Sequence, residues 1–231
     1  MGRFENRYSS GGKGVVELYN TKGLVLLSLA DLQVQLAQPQ NALYSYQSAI
    51  AFFDHATELA PESSYTFNNK GSGLRSLGDL QVQLARPQDA LKSYEQAIKV
   101  YDQILKLAAK DLQVLTNKGN VLAKQGNLQA QLVNFSEALQ SYEQAIAAFD
   151  QALTIAPNEV NVHKNKGKVL QELGFWQARG LLHLKLSENR EALQSWQAAV
   201  VEFSCYLMIA TDDNDIHNRR DLLQKFLDSL V

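Results

Sequence analysis

Lys-Gly pairs stand at residues 22–23, 70–71, 118–119 and 166–167, three successive intervals of 48 residues. A unit repeated at such a period cannot bury its apolar face alone and must stack on its neighbours, so the chain is confined to an array of like units. The same interval relates the Ala-Leu pairs at 42–43, 90–91 and 138–139, the tyrosines Tyr46, Tyr94 and Tyr142, and the aromatics Phe53, Tyr101 and Phe149. A fourth copy continues at an interval of 54 through Ala192-Leu193, Trp196 and Phe203, which places six extra residues near Gly180-Leu-Leu-His-Leu-Lys.

Each copy has two halves, and both carry helical spacing. Ala90, Leu91, Tyr94, Ala97, Ile98, Tyr101 and Leu105 recur at steps of three and four and so share one face of an α-helix. Pro39 and Pro87 lie between the halves of a copy, where a φ fixed near the helical value suits the first residue of a helix. Pro61 and Pro157 lie between copies, where a missing N–H stops the preceding helix. The expected organisation is a flexible leader at 1–15, copies at 16–63, 64–111, 112–159 and 160–213, and a tail at 214–231.

In the third copy, Asn117-Lys-Gly-Asn-Val-Leu-Ala-Lys-Gln-Gly126 resembles the first helix of a tetratricopeptide repeat, with Gly119 at its small position. Phe149-Asp-Gln-Ala-Leu-Thr-Ile-Ala-Pro157 resembles the aromatic, alanine and proline of the second helix. The family unit is about 34 residues. The copies here exceed it by seven residues in each half, and Tyr142-Glu-Gln-Ala145 reads as a duplicate of Phe149-Asp-Gln-Ala152. Seven residues are close to two turns, so lengthening both antiparallel helices keeps their contact faces nearly in register. The resemblance covers 16–213 and implies an all-α fold, a right-handed superhelical solenoid of antiparallel helix pairs. Ile216-His-Asn aligns with Val162-His-Lys and opens a C-terminal capping helix, with Asp221 where the copies have glycine. Its expected buried stripe is Leu222, Leu223, Phe226, Leu227 and Leu230.

Chemistry is sparse. His55, His163, His183 and His217 make no metal-ligand spacing, and the glycine-rich Ser9–Gly14 segment lacks the pattern of a phosphate loop, so neither a metal nor a cofactor is expected. Cys205, the single cysteine, reads as a small core residue beside Phe203 and Tyr206. With 22 basic against 24 acidic residues the net charge is −2, which argues against nucleic acid and an anionic membrane as partners. No apolar stretch has signal-peptide or membrane-span length, and the expectation is a cytoplasmic, non-enzymatic protein.

The leading expectation is an interaction scaffold that binds a protein or peptide in a concave groove. Asn69, Asn117 and Asn165 recur one per copy, with Thr21 in the first. Resemblance to superhelical members of the family implies that such amides grip the backbone of an extended peptide; the other reading is that each bonds the neighbouring copy's helix. Lys22, Lys70, Lys118 and Lys166 stand where the family has leucine. They form either a basic stripe or ion pairs inside each copy, Lys22 with Asp54, Lys70 with Asp102 and Lys118 with Asp150, while Lys166 meets Ser204. By analogy the groove positions that vary are Tyr65, Asn68, Ser72, Arg75, Asn120, Lys124, Lys164, Lys168 and Gln171, which suit an acidic or carboxylate-ended segment. Two alternatives are a structural solenoid that self-assembles and a targeting region of a longer enzyme. The apolar Leu24-Val-Leu-Leu-Ser-Leu run in the first copy is either a cut end or a surface that meets another chain, which would make a homo-oligomer through the N-terminal copy.

Overall fold

A computed structural model describes residues 10–181, 189–208, 210 and 212–228. These residues are all-α: α1 (Ser10–Gln35), α2 (Pro39–Leu59), α3 (Ser64–Gln83), α4 (Pro87–Leu107), α5 (Leu112–Gln131), α6 (Phe135–Ile155), α7 (Val160–Leu181), α8 (Asn189–Leu207) and α9 (Asn214–Asp228). They fall into two compact units, Met1–Ala109 and Lys110–Val231. In the first, α1 pairs with α2 and α3 with α4, while α3 also packs on α2 and touches α1. In the second, α5 pairs with α6 and α7 with α8, α7 packs on α6 and touches α5, and α9 lies on α8. The paired-helix repeat expected from the sequence therefore holds within each unit.

The 48-residue period has a packing cause. A Cβ added at Gly23, Gly71, Gly119 or Gly167 would lie 2.5–2.6 Å from a ring atom of Phe53, Tyr101, Phe149 or Phe203 on the paired helix. A second set repeats the arrangement one helical segment on, with Gly78 under Tyr94, Gly126 under Tyr142 and Gly174 under Trp196. The α3–α4, α5–α6 and α7–α8 pairs are thus each closed by two rings seated on glycine backbone, while the α1–α2 pair has one such seat and Ala30 at the second place, and Tyr101, Tyr142, Phe53, Phe149 and Phe203 are fully buried. Polar contacts recur at the same period: Ser45, Ser93 and Ser141 donate to Gln33, Gln81 and Gln129, and the Tyr46, Tyr94 and Tyr142 hydroxyls donate to Asp31, Asp79 and Asn127.

The turns inside the pairs are also periodic. Ala37, Ala85 and Val133 adopt φ of 54°, 54° and 65°, the left-handed conformation that ends a helix. The next amide reaches back in each case, Gln38 to the Gln33 carbonyl, Arg86 to Gln81 and Asn134 to Gln129, at 2.8–2.9 Å. Pro39 and Pro87 then open α2 and α4 as expected. Between copies, the Ser63 and Asp111 side chains accept from the amides of Thr66 and Val114, capping α3 and α5.

Three expectations are corrected. Residues 10–15, read as leader, lie in the first turns of α1. In α9, Leu227 is buried and Leu223 packs against the Leu170, Phe203 and Tyr206 cluster, but Leu222 is exposed and Ile216 is the fully buried anchor. The stripe is rotated because α9 enters through Ile216, at the position Val162 holds in α7, and Leu222 falls on the opposite side. The Phe226 side chain, Leu230 and most of the inserted Gly180–Lys185 segment lie outside the described residues. Cys205 is half-buried.

Candidate functional site

In the unit Met1–Ala109 the asparagine ladder is a helix tie. Asn69 on α3 donates through Nδ2 to the Asn20 Oδ1 on α1 at 2.9 Å, and Asn20 is buried. Along α3, half-buried Asn68 and Ser72 follow, with the Ser72 hydroxyl 3.5 Å from that of Tyr101. Burial pushes the Tyr101 hydroxyl's pKa up, so it remains a neutral hydrogen-bonding group. Arg75 stands 3.8 Å from Asp79, whose other oxygen accepts from the Tyr94 hydroxyl at 2.7 Å. Its charge is thus partly matched on its own helix. A cleft of about 650 Å³ opens between the N-terminal turns of α1 and α3 and the end of α2, with Val15, Asn20, Leu59 and exposed Tyr65 in its wall.

The unit Lys110–Val231 repeats the amide tie: Asn165 on α7 donates to Asn120 Oδ1 on α5 at 2.9 Å. The two asparagines bonded in this way follow the reading in which the ladder joins neighbouring copies. Asn117 and Lys124, on α5, are half-buried and also engaged. Lys164, expected to offer a free charge, is instead matched. Its ammonium bonds the Asp213 carboxylate at the start of α9, lies 3.5 Å from the Tyr206 hydroxyl and sits over that ring at 5.1 Å from its centroid. Sequence spacing overlooked this because Asp213, the last residue of the fourth copy, lies 49 residues beyond Lys164, although the Ile216 amide on Asp213 Oδ1 at 3.1 Å is the same capping pattern as Ser63 and Asp111.

Lys168 lies one turn beyond Lys164 on α7. Among the described residues it makes no hydrogen bond or ion pair, and its amine is held below the usual lysine range by burial first, then by the Lys164 and Arg219 charges. Arg219 of α9 pairs with Asp215 at 3.0 Å and donates to the Gln171 side chain at 3.2 Å. Asn120, Asn165, Lys168, Gln171 and Arg219 thus form a polar face on α5, α7 and α9, whose half-buried Lys168 has no acid bonded to it and is offset only through space by Asp215 and Asp213.

Two members of the lysine ladder pair across copies, which for Lys70 corrects the expected pairing with Asp102 of its own copy. Lys70 meets Asp54 of the preceding copy at 2.6 Å, and Lys166 meets Asp150 at 2.7 Å. The first helix of a copy packs on the second helix of the one before it, so the aspartate in reach is a copy earlier. Lys22 lies over the Phe52 ring at 5.5 Å. Lys166 also bonds Glu202 at 2.5 Å, and Glu202 accepts from His163 Nδ1 at 2.6 Å while His163 Nε2 faces the Pro157 carbonyl at 2.7 Å. Lys166, Asp150, Glu202 and His163 are thus bonded to one another or to backbone and belong to the α6, α7 and α8 packing. Among the described residues no group of histidine, cysteine and acids could hold a metal, and no helix is long and apolar enough to cross a membrane.

A tetratricopeptide-repeat family model matches residues 75–160. Among solved structures, the yeast histone chaperone Hif1, described as a scaffold protein recruiting protein complexes to core histones, is similar over 92% of this chain and 96% of that one, at 12% identity and a TM-score of 0.55. A de novo designed helical repeat protein matches 94% of this chain and 99% of its own at 15% identity and TM-score 0.48. MamA from Desulfovibrio magneticus RS-1 matches 84% and 98% at 15% identity and TM-score 0.40. Likeness at these identities is one of fold alone. No curated protein matches the sequence.

Proposed function

We propose that this chain, built of tetratricopeptide repeats, is a non-enzymatic scaffold that holds an acidic protein segment against the first-helix face of α5, α7 and α9. The observation that carries the reading is Lys168, a half-buried ammonium beside Lys164 and Arg219 that has no acid bonded to it among the described residues. A carboxylate from a partner would neutralise the local excess of positive charge, and a charge-assisted bond of that kind is worth about 1.5–3 kcal/mol. Gln171 and the Asn120–Asn165 pair flank the lysine. An amide has two donors and an acceptor, so one bond between asparagines leaves capacity for a peptide backbone. Asn117 and Lys124 lie on α5 of the same unit.

The test is binding of the full chain to an array of fluorescent peptides, half of them rich in Asp and Glu or ended by a free carboxylate and half neutral. Preferential capture of the acidic set, falling about tenfold in Lys168→Met and weakening with added salt, is the expected result. Equal binding of neutral peptides, or unchanged affinity in Lys168→Met, would remove the assignment.

A further inference from the structure

On α1, residues 15, 18, 22, 25, 29 and 32 follow alternating steps of three and four, a strict coiled-coil seam, and Leu36 continues the pattern just past its end. All are apolar except Lys22, and Val15, Leu18, Val25, Leu29, Leu32 and Leu36 are each 41–62% exposed. In later copies the equivalents of the inner apolar positions are buried, while those of Val15 and Leu36, such as Ser63, Glu159 and Leu84, are half-buried. On α3 the inner positions are Thr66, Gly73, Leu77 and Leu80, and on α7 Val162, Val169 and Leu173, none more than 7% exposed where an exposure is given. There they form the face that packs on the preceding helix pair. The α1 stripe is therefore the repeat's own stacking face, apolar, continuous and uncovered among the described residues.

We propose that this seam joins two copies of the chain through antiparallel α1 helices related by a twofold axis. The exposed apolar surface is on the order of 500 Å² per chain, hence about 1,000 Å² in the pair before flanking polar groups, which is the lower bound for a specific interface. Among the described side chains the outer face of α9 gives this stripe no complement, because it presents Asp215, Asp221, Lys225 and Asp228 with Leu222 as the one exposed large apolar residue. A like stripe is the available match, and a self-complementary patch makes a closed dimer rather than a filament. Lys22 sets the direction. In parallel register Lys22 would face its own copy across the seam, two like charges in an apolar layer. In antiparallel register it lies opposite a valine or leucine and keeps its ammonium over Phe52. The seam's flanks are Thr21, Ser28 and Gln35 on one side and Tyr19, Leu26 and Gln33 on the other, so no flanking charge opposes the approach.

Sedimentation of the full chain over a wide concentration range tests this. The expected result is a reversible rise from 25.7 kDa to twice that mass, abolished in Leu29→Glu/Leu32→Glu, whose helix content is unchanged because both sites are exposed. A chain that remains monomeric at the highest concentration, a variant that still dimerises, or open-ended polymers would overturn the proposal. Direction is read from Leu18→Cys and Leu36→Cys chains, each also carrying Cys205→Ser. A mixed disulfide on oxidising the mixture is expected, and Leu18→Cys chains that link to themselves would overturn the antiparallel arrangement.

Discussion

Substituting Gly119 by alanine tests whether the ring seats hold each helix pair together. An alanine Cβ there would lie 2.6, 2.8 and 2.9 Å from the Cε1, Cζ and Cδ1 atoms of Phe149. Ordinary carbon contacts begin near 3.5 Å, so the ring must retreat by roughly 1 Å. Phe149 is fully buried, so the ring can retreat only by displacing its neighbours. Overpacking of this kind costs about 1–3 kcal/mol, while alanine gains about 1 kcal/mol over glycine inside a helix. The expected net effect is a loss of about 1 kcal/mol. Gly14, also helical, has nothing within 4 Å of its Cβ position, so Gly14→Ala isolates the propensity gain of about 1 kcal/mol. Arrays of this kind do not always unfold in one step, so urea melts followed by circular dichroism should be paired with hydrogen exchange of the α5 and α6 amides. The double variant Gly119→Ala/Phe149→Leu should lose less than the sum of its parts, since the smaller side chain vacates the seat. If Gly119→Ala gained stability as Gly14→Ala does, or if the double variant were strictly additive, the ring seat would not be the constraint that sets the period.

Two further expectations follow from the turns and the cap. Val133 is β-branched, exposed and left-handed at φ 65°, so Val133→Gly should raise stability by about 1–2 kcal/mol in a urea melt, and no change would mean that the turn is not strained. The Asp213 carboxyl is held below the usual carboxylate range, by Lys164 first and then by the Ile216 amide and the Tyr206 hydroxyl. A folded-state pKa below the unfolded value of about 3.9 contributes stability above that pH, which is lost as pH falls through the folded value. The α9 amides should therefore stay protected at pH 5 and exchange faster on further acidification, whereas Asp213→Asn should loosen α9 at neutral pH and flatten the acid response.

The period, the helix pairs, the proline-opened second helices and a further helix after Asp213 were all legible in the sequence, because each rests on spacing along one helix or on a residue's own backbone preference. Gly119 and Phe149 could be placed on facing helices by the resemblance, and the ring seat confirms why both recur. Partner choice was not legible. Lys70 could be placed on its helix face, yet whether it meets Asp102 of its own copy or Asp54 of the one before depends on how copies stack. The same holds for Asn69 with Asn20, for Lys164 with Asp213, and for the α1 stripe, whose residues match buried positions elsewhere but are exposed here. The left-handed alanines also went unread, since glycine is the usual signal and the Schellman-type bond from the next amide holds Ala37 and Ala85 there instead. Local spacing determines which side of a helix a residue occupies. Only the stacking of helix on helix, set by long-range packing of rings and glycines, decides what stands opposite it.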